Sequence, residues 1–284
     1  MSMVSFAQNG EDVVLRRLFD RGHAGFYIDV GASHPSELSV TRHFYDSGWS
    51  GINIEPGTIF SELNRLRPRD INIRAACSNR TGTIEFCEFP PDLGGWSTCD
   101  RDQADAIVAE HRVEYQLKTV PVRTLKDVYD EYVDRPIDFL KIDVEGHEQG
   151  VLEGADWDRC RPLVVLVECF PPTHAHSTRH LWESLLIEAG YLPALFDGLN
   201  QFYLREDRRE LLPRLSVGAN VMDDFIRYSD LRRLELIDTQ VRLIDEQNKL
   251  ILELKHRMRH QIKGVAKRIP GLTSLVRRLR GKAA

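Results

Sequence analysis

Residues 26–35 read FYIDVGASHP. Phe26 to Val30 is a short apolar run interrupted only by Asp29, and Gly31 closes it. This is the pattern of a buried strand ending in a tight turn. The same form recurs along the chain. Ile52-Asn53-Ile54 ends at Glu55-Pro56, Ile71-Asn72-Ile73 runs to Ala75-Ala76, Ile137 to Ile142 ends at Asp143, and Leu163 to Val167 ends at Glu168. Helical periodicity lies between several of these runs, around 36–47, 58–66, 101–115, 148–158 and 178–189. Residues 1–25 read as a further helix, with Val13, Val14, Leu15, Leu18 and Phe19 at helical spacing and Gly22 and Gly25 ending it. Strands alternating with helices specify an α/β fold: an open, mostly parallel sheet with helices on both faces. Strands near 201–204 and 217–221 are expected to close the sheet.

In such a sheet, ligands bind outside the carboxyl ends of the strands. Here those ends carry Asp29 with Gly31, then Glu55, Asp143 and Glu168. One acidic strand end is ordinary; four in one sheet point to a site. The turn DVGASHP has a single glycine, so the GxGxxG fingerprint of dinucleotide binding is absent. A helix starting near Pro35 could receive a carboxylate at its N-terminus. Glu55 could accept hydrogen bonds from both hydroxyls of a ribose. A carboxylate and a ribose without a diphosphate describe S-adenosylmethionine better than NAD. DVGA by itself equally suits a plain strand-to-helix turn, and Glu55 is what tips the reading. The second constellation is DFLKIDVEGHE (138–148), where Asp143, Glu145, His147 and Glu148 crowd one strand end. Clustered carboxylates raise one another's pKa, and histidine titrates near neutrality, so such clusters favour functional sites. Glu145 and Glu148 also suit ordinary solvated charges at a helix start.

With these pieces in order, the chain resembles the FkbM family of S-adenosylmethionine-dependent methyltransferases. The matching segments are SFAQNGEDVVL (5–15), FYIDVGASHP (26–35), FYDSGWSGINIEP (44–56), IRAACSNRTGTIEF (73–86), VPVRTLKDV (120–128), DFLKIDVEGHEQGVLEGA (138–155) and VVLVECF (164–170). The resemblance covers about residues 5–225; Phe6-Ala7 stands before Gln8 where the family often has Ser. It implies a Rossmann-like class I methyltransferase fold and methyl transfer to oxygen, commonly a sugar or polyketide hydroxyl. It implies that Asp29, Gly31, Ala32 and Ser33 hold the methionyl part of the cofactor and that Glu55, followed by Pro56, binds ribose. Asn79, or the backbone near Ala76 and Cys77, would meet the adenine, and Gln8 and Asp12 would cap the pocket. Asp143, Glu145 and His147 would line the methyl-transfer site. On this reading His147 is the general base, oriented by Asp143 or Glu145, and a divalent metal between Asp143 and Glu168 is a lesser alternative.

The net charge of −5 conceals an asymmetry. Residues 255–284 hold ten Lys and Arg and no Asp or Glu; the first 254 hold 28 Lys and Arg against 43 Asp and Glu. An acidic body is not a general nucleic-acid binder, and the basic end suits an anionic surface. Between residues 229 and 269 a heptad pattern places Leu234, Ile237, Val241, Ile244, Asn248, Ile251, Lys255, Met258, Ile262, Val265 and Ile269 on one seam. Nine of these eleven are apolar, which predicts a coiled coil, and a single Asn on the seam suits a parallel homodimer. A long helix folded back on its own body is the alternative. The chain thus divides into a methyltransferase-like domain (1–228), a coiled coil (229–269) and a basic amphipathic tail (270–284), the last suited to an anionic membrane surface. Five widely spaced cysteines with no CxxC pair argue against a zinc knuckle or disulfide framework. The N-terminus lacks a signal-peptide pattern, so the expected location is cytoplasmic, with peripheral attachment to the inner face of a membrane.

Three function classes compete: a glycan or glycolipid O-methyltransferase, a degenerate methyltransferase fold serving as a coiled-coil interaction platform, and an NAD-dependent oxidoreductase. The missing glycines disfavour the last, and the intact acidic set disfavours the second.

Overall fold

The computed structural model describes residues 3–170, 176–268 and 274. In chain order it runs β1 (Met3–Ser5), α1 (Glu11–Arg16), β2 (Phe26–Val30), α2 (Arg42–Asp46), β3 (Ser50–Ile54), α3 (Phe60–Leu66) and β4 (Ile71–Ile73). Next come β5 (Ala76–Cys77), β6 (Gly82–Glu88), α4 (Arg101–His111), β7 (Gln116–Arg123) and α5 (Leu125–Tyr132). The alternation resumes with β8 (Phe139–Ile142), α6 (Glu148–Glu153), β9 (Val164–Glu168), α7 (Arg179–Glu188), β10 (Tyr191–Phe196) and β11 (Asn200–Arg205). It ends with α8 (Leu212–Leu215), β12 (Phe225–Arg227) and α9 (Tyr228–Arg268).

Seven strands form the central sheet in the order β10-β11-β9-β8-β2-β3-β4. The five from β9 to β4 are mutually parallel, and β11 and β10 run antiparallel at one edge. Strand order reverses between β2 and β8, which opens a crevice at their carboxyl ends. Side chains alternate across the sheet. Ile28, Val30, Ile52, Leu140, Ile142 and Val165 pack with residues of α5, α6 and α7 on one face. Tyr27, Phe139, Val164, Leu166, Phe202 and Leu204 pack with Val14, Leu15 and Phe44 on the other. Both faces are covered, so the strands read as near-continuous apolar runs.

Several expectations need correction. Residues 1–25 are not one helix: α1 spans only Glu11–Arg16, and Met3–Ser5 pairs in parallel with β12. Gly10, at φ +80°, turns the chain before α1, and the Asp12 carboxylate accepts from the Ser5 hydroxyl and the Phe6 N–H, folding the segment back. The helix expected from about residue 36 begins only at Arg42. His34 Nδ1 accepts from the N–H groups of Ser36 and Glu37, and Leu38 sits at φ +57°, a conformation no helix continues through. Residues 217–221 form no strand; the closing edge is β10, which pairs with β11. The small three-stranded sheet β5-β7-β6 and helix α5 are further additions to the expected set.

The chain separates into two compact units, one ending at Tyr228 and one beginning at Ser229. The second is a helix of 41 residues counted from Tyr228, about 62 Å long. Its seam residues Leu234, Ile237, Val241, Ile244, Ile251, Met258, Ile262 and Val265 are all exposed, as are Leu236, Leu243 and Leu250 beside them. Residues 270–284, the expected basic tail, lie outside the described residues apart from Ser274. Among the described residues no helix is long and apolar enough to cross a membrane.

Candidate active site

A cavity of about 560 Å³ opens at the carboxyl ends of β2, β3, β8 and β9. A volume of ~300–1,000 Å³ is usual for a small-molecule site. Ten of the expected residues line it: Gln8, Gly31, Ala32, Ser33, Glu55, Pro56, Asp143, Glu145, His147 and Glu168. The backbone near Ala76 and Cys77 also reaches it.

The turn after β2 is held from below. Gly31 has φ +75°, and a Cβ there would lie 1.8 Å from the Asp143 carbonyl oxygen. No other residue lets these two strand ends approach so closely. Lys141 Nζ donates to the Gly31 carbonyl at 2.8 Å and lies 3.3 Å from Asp29 Oδ1 and 3.2 Å from Asp143 Oδ2. Burial works against the charged ammonium, but the carboxylates of Asp143 and Asp29 outweigh it and hold the Lys141 pKa above its ordinary value.

Glu55 ends β3. Its Oε2 accepts the Ser33 N–H at 3.0 Å and its Oε1 the Gly57 N–H at 2.7 Å. Burial raises its pKa, and the two backbone donors oppose the rise. A carboxylate has about four acceptor positions, so two remain for a ligand.

Beside the Gly31 turn stands the loop after β8. Glu145 and Gly146 both adopt positive φ, +55° and +101°. The Thr98 hydroxyl donates to the Glu145 carbonyl at 2.7 Å, and the buried Glu148 carboxylate accepts the N–H groups of Gly146 and Val144. One oxygen from each of Asp143, Glu145 and Glu168 lies within 4.8 Å of the others. Burial first, then the neighbouring carboxylates, pushes the pKa of both Glu145 and Glu168 far above the usual range. His147 is lowered by burial, so its neutral form is favoured. The oriented neighbour of His147 is Ser78, whose Oγ lies 2.9 Å from Nε2, rather than Asp143 or Glu145 as the sequence suggested.

Three expected residues stand outside the cavity lining. Asp29, 1% exposed, accepts from the Thr41 hydroxyl at 2.9 Å and supports Lys141 from behind. Asp12 is engaged by Ser5, Phe6 and Val13 in the N-terminal turn. Asn79 donates to Glu153 at 2.8 Å on an exposed surface. Conversely, sequence reasoning overlooked Lys141 and Ser78. Lys141 had a legible signal: a lysine inside an apolar strand needs a buried partner, and Asp29 is its register partner on β2.

A sequence profile described as the Methyltransferase FkbM domain matches residues 29–193. A search of curated proteins gives no match. Among solved structures the chain is similar to a methyltransferase FkbM from Methylobacillus flagellatus KT, at 17% identity and TM-score 0.41, covering 64% of this chain and 43% of that one. It is also similar to a precorrin-6y C5,15-methyltransferase from Geobacter metallireducens GS-15, at 10% identity and TM-score 0.37, covering 69% and 89%. A third similarity is to the mitomycin 7-O-methyltransferase MmcR, at 10% identity and TM-score 0.34, covering 68% and 53%. The chain therefore spans under half the length of the first of these proteins. The profile match takes in β3, β8, β9 and the carboxyl end of β2, the strand ends that build the cavity, and by that match the chain belongs to the FkbM methyltransferase family.

Proposed function

We propose that the protein is an S-adenosylmethionine-dependent O-methyltransferase whose acceptor is a sugar hydroxyl of a glycan or lipid-linked glycan. The observation that carries the reading is the placement of Glu55 in the same cavity as Asp143, Glu145 and Glu168. Glu55 offers two acceptor positions suited to a ribose, and the acidic wall suits a sulfonium cation. The turn at Gly31–Ser33 supplies close backbone approach without the several glycines a diphosphate demands. The cofactor would be held by Gly31, Ala32, Ser33, Glu55, Pro56 and Gln8, and it supplies a methyl group already activated for transfer. The glycan acceptor is what the family resemblance suggests.

The chain's own task is then to orient the acceptor oxygen and take its proton. Orientation can supply ~7–11 kcal/mol and a positioned base a further ~10²–10⁴-fold. His147 fits the base: it lines the cavity, burial keeps it neutral, and Ser78 fixes its ring. His147→Ala should lower turnover by ~10²–10⁴-fold while cofactor affinity stays near wild type. Turnover within threefold of wild type would remove His147 from this role.

The exposed seam of α9 supports a second element of the proposal: the helix pairs with a second copy of the chain. Among the described residues, eight apolar positions at heptad spacing are exposed on the helix, and burying them against an identical seam follows coiled-coil packing. A degenerate domain acting solely as an interaction platform would keep this pairing without binding the methyl donor.

A further inference from the structure

Three carboxylates meet where β8 and β9 end, and one of their buried oxygens has no donor among the described residues. Glu168 is 7% exposed, and among the described residues its Oε2 has no hydrogen-bond partner. Its near neighbours are the carboxylates of Asp143 and Glu145, within 4.8 Å, so acceptor faces acceptor. Lys141 reaches Asp143 alone of the three within ion-pair distance, and it is already shared with Asp29 and the Gly31 carbonyl. Glu145 is held in place by a left-handed backbone and by Thr98 on its carbonyl. Carboxylates this close must share protons or a cation. All three side chains line the open cavity, so an ion there would keep positions for water and for a ligand's oxygens. Three oxygen donors without sulfur or nitrogen select a hard divalent cation.

We propose that Asp143, Glu145 and Glu168 bind a divalent cation of the magnesium class at the floor of the cavity. The binding claim stands on the three carboxylates. Its role, polarising the acceptor hydroxyl so that its proton leaves more easily, rests on the methyl-transfer reading above.

The test is a titration of the chelator-stripped full chain with manganese(II) alone, with free ion read by electron paramagnetic resonance. One site per chain is expected, competed by excess magnesium. Glu168→Gln and, separately, Glu145→Gln should each weaken it by about 10–100-fold or more, since even outer partners of a metal site are worth that much. Glu145 lies on a half-buried loop, so its variant tests the site even where Glu168→Gln folds poorly. A wild-type chain that retains no manganese, or either variant binding it as tightly as wild type, overturns the proposal. Calorimetry of the same samples with S-adenosylmethionine separates the two claims. Manganese binding without methyl-donor binding leaves the cation site standing and removes its role in methyl transfer. Donor binding without manganese removes the site alone.

Discussion

Glu148 offers a sharp test of how the loop after β8 is held. It is 2% exposed, and its Oε1 accepts the N–H of Gly146 at 2.9 Å and of Val144 at 3.3 Å. Burial, opposed by these backbone donors, raises its pKa from 4.5 to about 7. Below pH 4.5 the group is protonated in folded and unfolded chains alike, and its contribution is fully present. Between 4.5 and about 7 the unfolded chain loses its proton first, so stability falls as pH rises. The whole loss is on the order of 3 kcal/mol, of which about 2–3 kcal/mol falls between pH 5 and pH 8. Glu148→Gln keeps an acceptor for the loop and cannot ionise. Urea unfolding of wild type and variant at both pH values, followed by tryptophan fluorescence, reads the difference. All four tryptophans lie before Ser229, so the signal reports the first unit. The variant should gain about 2–3 kcal/mol relative to wild type on going from pH 5 to pH 8. Equal pH dependence in the two proteins would refute the claim that a buried, proton-linked carboxyl secures this loop.

Gly31→Ala should destabilise the fold by about 3 kcal/mol or more, because it combines a left-handed backbone with a Cβ 1.8 Å from the Asp143 carbonyl; a thermal midpoint within 1 °C of wild type would contradict that packing. On α9, Ile244→Asp together with Ile251→Asp places charge in the seam and should convert a paired species to a single chain in light scattering. A wild type that is already a single chain at micromolar concentration would contradict the pairing.

Much of the sheet was legible because its central strands are buried on both faces. Ile52-Asn53-Ile54 and Ile71-Asn72-Ile73 reappear as β3 and β4, with Asn53 paired to Asn72 in register. The strand ends carrying Glu55, Asp143 and Glu168 followed from the same runs. Less legible was whatever depends on contacts distant in sequence. The first 25 residues carry a helical pattern, but Gly10 and the Asp12 carboxylate fold them into a strand and a short helix. The sheet β5-β7-β6 was hard to see because β6 buries only its last three residues, so its pattern is mostly polar. The place of Asp29 behind the cavity lining has a subtler reason. A strand's side chains alternate, so Asp29 points to the same face as Tyr27, under the turn, while Gly31 beyond it meets the cavity. That position makes it a support for Lys141 rather than a wall residue.

On the proposed function, the cavity between Glu55 and the carboxylates of β8 and β9 takes a sulfonium nucleoside. Isothermal calorimetry of the full chain against S-adenosylmethionine, S-adenosylhomocysteine and NAD tests it directly. Saturable one-to-one binding of the first two and no heat with the third are expected; no binding of either adenosyl ligand, or a preference for NAD, would refute that use of the cavity.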